Sequence, residues 1–228
     1  MSPKRIDYIP LRISQKPLLR KLGRIRNNKS LSVRVRKQIN KAIKEIKKNS
    51  QPRAVFQLFP VSTDEQLVSI GQKTTFNSKK LAKIIEPCKR VVVFLVTLGK
   101  EIDKIIDNAL EQQPYFGFIL DAAASLAIES SAEYVQEYID RHYTSNKEKT
   151  LRYSPGFCGW SITEQKKLFQ TLPSDKVNVQ LSDSYFMSPQ KSISGLIGIG
   201  SGDQVYETEN ICTQCPKIDC RHRKFQYN

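Results

Sequence analysis

Histidine is nearly missing from this chain. His142 and His222 are the only two among 228 residues. Long apolar runs are missing as well. The longest, VVVFLV, is far short of the roughly 20 residues that span a bilayer. The basic N-terminus is not followed by an apolar stretch, so it does not read as a secretory signal. The expected setting is the cytoplasm, with no membrane. There, five cysteines favour metal or redox use over a disulfide framework. Acidic residues are scarce at the start: residues 1–50 hold Asp7 and Glu45 against 16 lysines and arginines, whereas the remainder holds 20 against 21. Aromatics are scarce there too, with Tyr8 alone in the first fifty residues. A basic stripe without aromatics lacks the platforms on which bases stack.

What is present reads as an α/β chain of the α+β type, with helices packed on a twisted, mainly antiparallel sheet. The spacing of Leu31, Val35, Ile39, Ile43 and Ile46 predicts a helix over 29–49 whose other face is almost all Lys and Arg, ended by Pro52. RAVFQLFPVS and QLVSIG read as strands and SKKLAKII as a short helix. KRVVVFLVTLG is apolar at both parities, the pattern of a central strand covered on both faces. KEIDKIIDNALEQQ and residues 115–143 follow as helices. Ala and Ser crowd the middle of the second, where small side chains admit either a packed helix or a ligand. SNKEKT reads as a polar loop. Three regions are expected: a basic helical segment over 1–50, a ligand-binding domain over 51–205, and a Cys-rich tail over 206–228.

Chemistry concentrates in two places. In LRYSPGFCGWSITEQKKLF, Arg152 precedes the turn-forming pair Pro155-Gly156, and Ser161 with Glu164 reads as a capping box opening a helix. Guanidinium is a permanent bidentate partner for a carboxylate. Arg152 is thus a candidate clamp for an amino-acid-like ligand, with Phe157 and Trp160 offering flat apolar surface. The alternatives are a surface ion pair and a core tryptophan. VNVQLS reads as a short strand, and YFMSPQKSISGLIGIGSG as a strand meeting a tight turn. The second place is ENICTQCPKIDCRHRK. Cys212, Cys215 and Cys220 have spacing suited to zinc or an iron–sulfur cluster, with Cys158 or His222 as a fourth ligand. Free thiols are the alternative, and Cys88 reads as a core residue.

RYSPGFCGWSITEQKKLF followed by VQLSDSYFMSPQKSISGLIGIG resembles the activation domain of cobalamin-dependent methionine synthase, over roughly residues 50–200. The matching residues are Arg152, Pro155, Gly156, Phe157, Met187, Pro189, Ser192, Ser194 and Gly195. The resemblance implies an S-adenosylmethionine site formed by Arg152, Ser154, Pro155, Gly156, Phe157, Ser194 and Gly195. Glu129 and Glu133 fall on the matching helix, either to meet the ligand's ammonium or as ordinary exposed helix carboxylates. Phe157 stands where tyrosine is common, so a hydroxyl is lost there. The implied activity is reductive reactivation: oxidised cobalamin receives one electron and is then methylated by S-adenosylmethionine. No D-x-H-x-x-G cobalamin motif is present, so the corrinoid would sit on a separate methyltransferase or corrinoid protein. The rival expectation is a nucleic-acid-binding protein using the basic segment and a zinc knuckle. A third is a domain that keeps this fold without its ligand.

Overall fold

The computed structural model describes residues 1–22, 32–145, 148–157 and 159–201. Nine strands and six helices alternate along it: β1 (Lys4–Ile6), α1 (Gln15–Lys21), α2 (Val33–Asn49), β2 (Arg53–Asp64), β3 (Leu67–Ile70), β4 (Thr74–Asn77), α3 (Lys79–Ile85), β5 (Cys88–Thr97), α4 (Lys100–Gln112), α5 (Pro114–Tyr143), β6 (Glu148–Tyr153), α6 (Gln165–Thr171), β7 (Gln180–Leu181), β8 (Met187–Ser188) and β9 (Ser192–Ser201). Single 3-10 turns at Ile162–Glu164 and Ser174–Val177 flank α6. The main sheet runs β4-β3-β2-β5-β9-β6, and every pairing in it is antiparallel. β1 adds to the start of β2, opposite Ala54–Phe56, and β3 pairs with its far half from Val61 onward. Pro60, which has no N–H to donate, falls between these two partners.

β5 shows why the sheet is central. Val92, Phe94 and Val96 face a core formed with α1, α2, α4 and α5. Val91, Val93 and Leu95 face a second core formed with α3, α6 and Trp160. Both sets are buried, and full burial of such a side chain contributes about 1.5–3 kcal/mol. The apolar stripe of α2 turns inward: Ile39, Ala42 and Ile46 lie in the first core, with Val35 and Ile43 packed at its margin. Ser32 caps this helix, its Oγ accepting from Val35 N at 3.3 Å, as hydroxyl N-caps do. The stripe seen in the sequence is therefore core surface, and the cationic face is left outward. No helix among the described residues is long and apolar enough to cross a membrane.

α5 starts with Pro114 in its first turn, where the missing N–H has no helical partner to lose. Its alanines, including Ala122, Ala123, Ala124 and Ala127, are buried in the first core. They serve packing, as does Gly117, where a Cβ would lie 2.6 Å from Leu110 N of α4. Three expectations are corrected. SNKEKT is not wholly a loop, because Glu148–Tyr153 pairs with β9 as an edge strand. TTFN is a strand, Thr74–Asn77, that the sequence reading left out. Ser161 and Glu164 do not form a capping box. Ser161 Oγ accepts from Thr163 N, while the Glu164 carboxylate accepts from Asn77 N and pairs with Lys167. Cys88 is buried in the second core as expected, and that burial pushes its thiol up to about 12.

Candidate functional site

Strand parity decides what can meet at this site. Directly opposed residues of an antiparallel pair share one face of the sheet. Arg152 lies opposite Ile197 and Tyr153 opposite Leu196. Ile197 belongs to the α5-side core and Leu196 to the other. Arg152 therefore faces α5, where its Nη2 donates to Glu129 Oε2 at 3.3 Å. Tyr153 faces the other way. Its ring stacks on Trp160 at 6.0 Å between centroids, and its hydroxyl donates to the Phe157 carbonyl at 3.0 Å.

The turn after β6 is held from several sides. Phe157 N donates to Ser154 O, Trp160 N to Phe157 O, and Gly156 N to Trp160 O at 2.8 Å. Ser78 Oγ donates to Gly159 O from the start of α3. Gly156 and Gly159 have φ of +87° and +88°, values that a side chain would strain. Trp160 is 1% exposed and sits edge-on to Phe76. It belongs to the core and offers no surface to a ligand. Phe157 is 40% exposed at the tip of the turn.

Gly195 fixes how closely β6 approaches β9. A Cβ there would overlap the Tyr153 carbonyl oxygen and lie 2.7 Å from Ser154 Oγ. Gly195 is thus bare so that Ser154 can lie against it on the Arg152 face. Ser194 has the opposite parity: it is 4% exposed and its Oγ has no partner among the described residues. The structure brings Arg152, Ser154, Gly195 and Glu129 together at one seam. The side chains of Ser194 and Pro155 do not join them on that face. Glu133, one turn past Glu129 on α5, is exposed, with no ion pair to Arg152.

A second cluster in the same seam escaped the sequence reading. Lys191, with the parity of Ile193 and Gly195, reaches α5 at the entrance to β9. Its Nζ donates to Asp121 Oδ1 at 2.7 Å and to Ser125 Oγ at 3.1 Å. The available signals were Lys191 inside MSPQKSISG and the four-residue spacing of Asp121, Ser125 and Glu129 on one helix. Below it, Ser192 Oγ lies 2.8 Å from Thr97 Oγ1 and 2.7 Å from the Pro189 carbonyl. Asp103 Oδ2 of α4 accepts from Gln190 N at 2.7 Å. The loop leading into β9 is thus tied to β5, α4 and α5.

A cleft of about 670 Å³ lies elsewhere, around α6 and the β7–β8 hairpin, lined by Lys166, Phe169, Asn178 and Tyr185 among others. None of the residues predicted from sequence lines it. Cys158, Cys212, Cys215 and Cys220 lie outside the described residues, as does His222. Among the described residues no group of three or more His, Cys, Asp or Glu could hold a metal ion.

Comparisons with known proteins bear on this geometry. The chain is similar over 89% of its length to a crystal structure of the MetH reactivation domain bound to AdoHcy, covering 79% of that chain, with a TM-score of 0.66 at 18% identity. That likeness is one of fold. No curated protein sequence matches the chain. Residues 24–217 match the family described as vitamin B12 dependent methionine synthase, activation domain. The chain belongs to that family.

Proposed function

We propose that this protein binds S-adenosylmethionine at the α5–β6–β9 seam and supports reductive reactivation of a separate corrinoid-dependent methyltransferase. The observation that carries the reading is the mostly covered Arg152 facing the half-exposed Glu129 across the seam. The Arg152 side chain is 12% accessible and that of Glu129 is 47% accessible. An ion pair with so exposed an acid contributes about 0–1 kcal/mol. A hydrogen bond to a charged group in a better-enclosed site contributes roughly 1.5–3 kcal/mol. A ligand carboxylate can therefore replace Glu129 on the guanidinium. The displaced Glu129 is then free to accept from the ligand's ammonium, so the zwitterion is held at both poles. Ser154 Oγ adds a hydrogen-bonding group at the same floor. When bound, S-adenosylmethionine supplies an electrophilic methyl group for the reduced cobalt of the partner's corrinoid. What this chain contributes is position: a held turn, a fixed guanidinium and a carboxylate able to change partners.

Calorimetry with S-adenosylmethionine and S-adenosylhomocysteine tests the reading. Arg152→Ala should weaken binding by roughly 1.5–3 kcal/mol. An unchanged affinity in the folded variant would refute it.

A further inference from the structure

The seam contains two ion pairs of the same build. In each, a mostly covered cation on the sheet meets a half-exposed carboxylate on α5. Arg152 and Glu129 have side chains 12% and 47% accessible. Lys191 and Asp121 have side chains 15% and 45% accessible. The two acids lie eight residues apart on one helix, which is about 12 Å of rise. Between them α5 carries Ser125, and β9 carries Ile193 and Gly195 with the parity of Lys191.

Resting on the S-adenosylmethionine reading, we infer that Asp121, held by Lys191, is the specificity residue for the ribose diol at the nucleoside end of the same ligand. Span is the first argument. From carboxylate carbon to ribose hydroxyl runs a chain of eight bonds, about 10 Å when extended at ordinary bond lengths. A ligand clamped by Arg152 and laid along α5 brings its ribose to Asp121. Chemistry is the second. A carboxylate accepts from two neighbouring hydroxyls, and it has no proton to lose or rotate. Asp121 keeps accepting capacity for this role, because Lys191 bonds to Oδ1. Orientation is the third. The mostly covered ammonium, also bonded to Ser125, fixes where the carboxylate stands before the ligand arrives, so less freedom is lost on binding. Asp121 would touch the ligand, and Lys191 acts through Asp121 as a positioning residue.

The test compares S-adenosylhomocysteine with its 2′-deoxy analogue on the intact chain by calorimetry. Wild type should prefer the diol by roughly tenfold or more, the size of a lost hydrogen bond to a charged group. In Asp121→Asn, which leaves Lys191 an oxygen partner, that preference should collapse toward unity. The double variant Asp121→Ala with Lys191→Met removes the pair without leaving a mostly covered cation unpaired, and should give the same collapse. Arg152-dependent binding with an undiminished diol preference in both variants would overturn the assignment alone. No binding of either ligand to wild type would overturn the S-adenosylmethionine reading and this inference with it.

Discussion

Gly195→Ala should damage both the fold and the seam, and the structure sets the scale. The new methyl would overlap the Tyr153 carbonyl oxygen and sit 2.7 Å from Ser154 Oγ and 3.1 Å from Phe94 Cε1. The first of these is backbone in a paired strand, which cannot swing aside. The end of β6 must therefore move away from β9 by a sizeable fraction of an ångström. Overpacking of this kind costs about 1–3 kcal/mol and sometimes more. For a chain of this size, ~3 kcal/mol corresponds to a fall in Tm of about 6–12 °C. Gly198→Ala is the control. Its methyl would meet Cys88 Sγ at 2.6 Å and Ile85 Cδ1 at 3.1 Å, both side-chain atoms, and the Ile85 end can rotate away. Thermal melts should place Gly195→Ala below Gly198→Ala. Because Arg152 and Ser154 ride on the displaced strand, the affinity of still-folded Gly195→Ala for S-adenosylhomocysteine should fall as well. A Tm for Gly195→Ala at or above that of Gly198→Ala would refute the close-approach argument. Intact affinity alongside a large fall in Tm would uncouple the β6 register from the site.

Glu148 is held below the usual carboxylate range, first by the Ser145 backbone N–H at 2.9 Å and then by the Arg90 guanidinium, with burial opposing. Its contribution is present above the unfolded value near 4.3 and is lost as pH falls through the lower folded value. Urea midpoints at neutral and acid pH should thus drop further for wild type than for Glu148→Gln, and equal drops would remove Glu148 from the account. On α2, exposed Arg34, Lys37, Lys41 and Lys44 make no ion pair among the described residues. If this face steers an acidic corrinoid protein, changing all four to Gln should slow association and flatten its salt dependence; rates unchanged at low and physiological ionic strength would sink that idea. Cys212, Cys215 and Cys220 are expected to hold one metal centre. Elemental analysis of anaerobically purified protein should then find zinc or iron near one equivalent per centre, and finding neither defeats the proposal.

The parts of the fold that were legible are those where burial imposed a pattern. β5 is apolar at both parities because both of its faces are covered. The stripe of α2 was visible because only one of its faces is. β6 was hidden because it is an edge strand whose first residues are polar. Its Glu148 gains order from Arg90 on β5, which reaches it across β9 and lies 58 residues away in the chain. Motif logic also misled at Ser161 and Glu164, where the spacing of a capping box is present. Glu164 finds a better use bracing α6 against the end of β4 through Asn77 N and Lys167. A local signature describes what a segment can do alone, and here a tertiary contact outbids it.

At the site, the limit on legibility is parity. Ser194 and Gly195 are neighbours in one motif and look like one binding element. In a strand, neighbours face opposite sides, so one is sealed beside the second core while the other floors the seam. Only the register opposite Tyr153 and the positions of the two cores reveal which is which. The pair of Lys191 and Asp121 spans 70 residues and leaves no spacing for a motif search to find. Yet the logic that made Arg152 visible, a cation at the β6 end of a glycine-floored strand, applies equally to Lys191 at the β9 entrance. Both cations are covered and both acids are half-exposed. An arrangement in which the movable partner faces solvent and the fixed one does not is poorly suited to stabilising the fold, since exposed acids contribute little. At Arg152 it is suited to exchanging the acid's partner for a ligand's, and at Lys191 to holding the acid in place with its second oxygen open to a ligand.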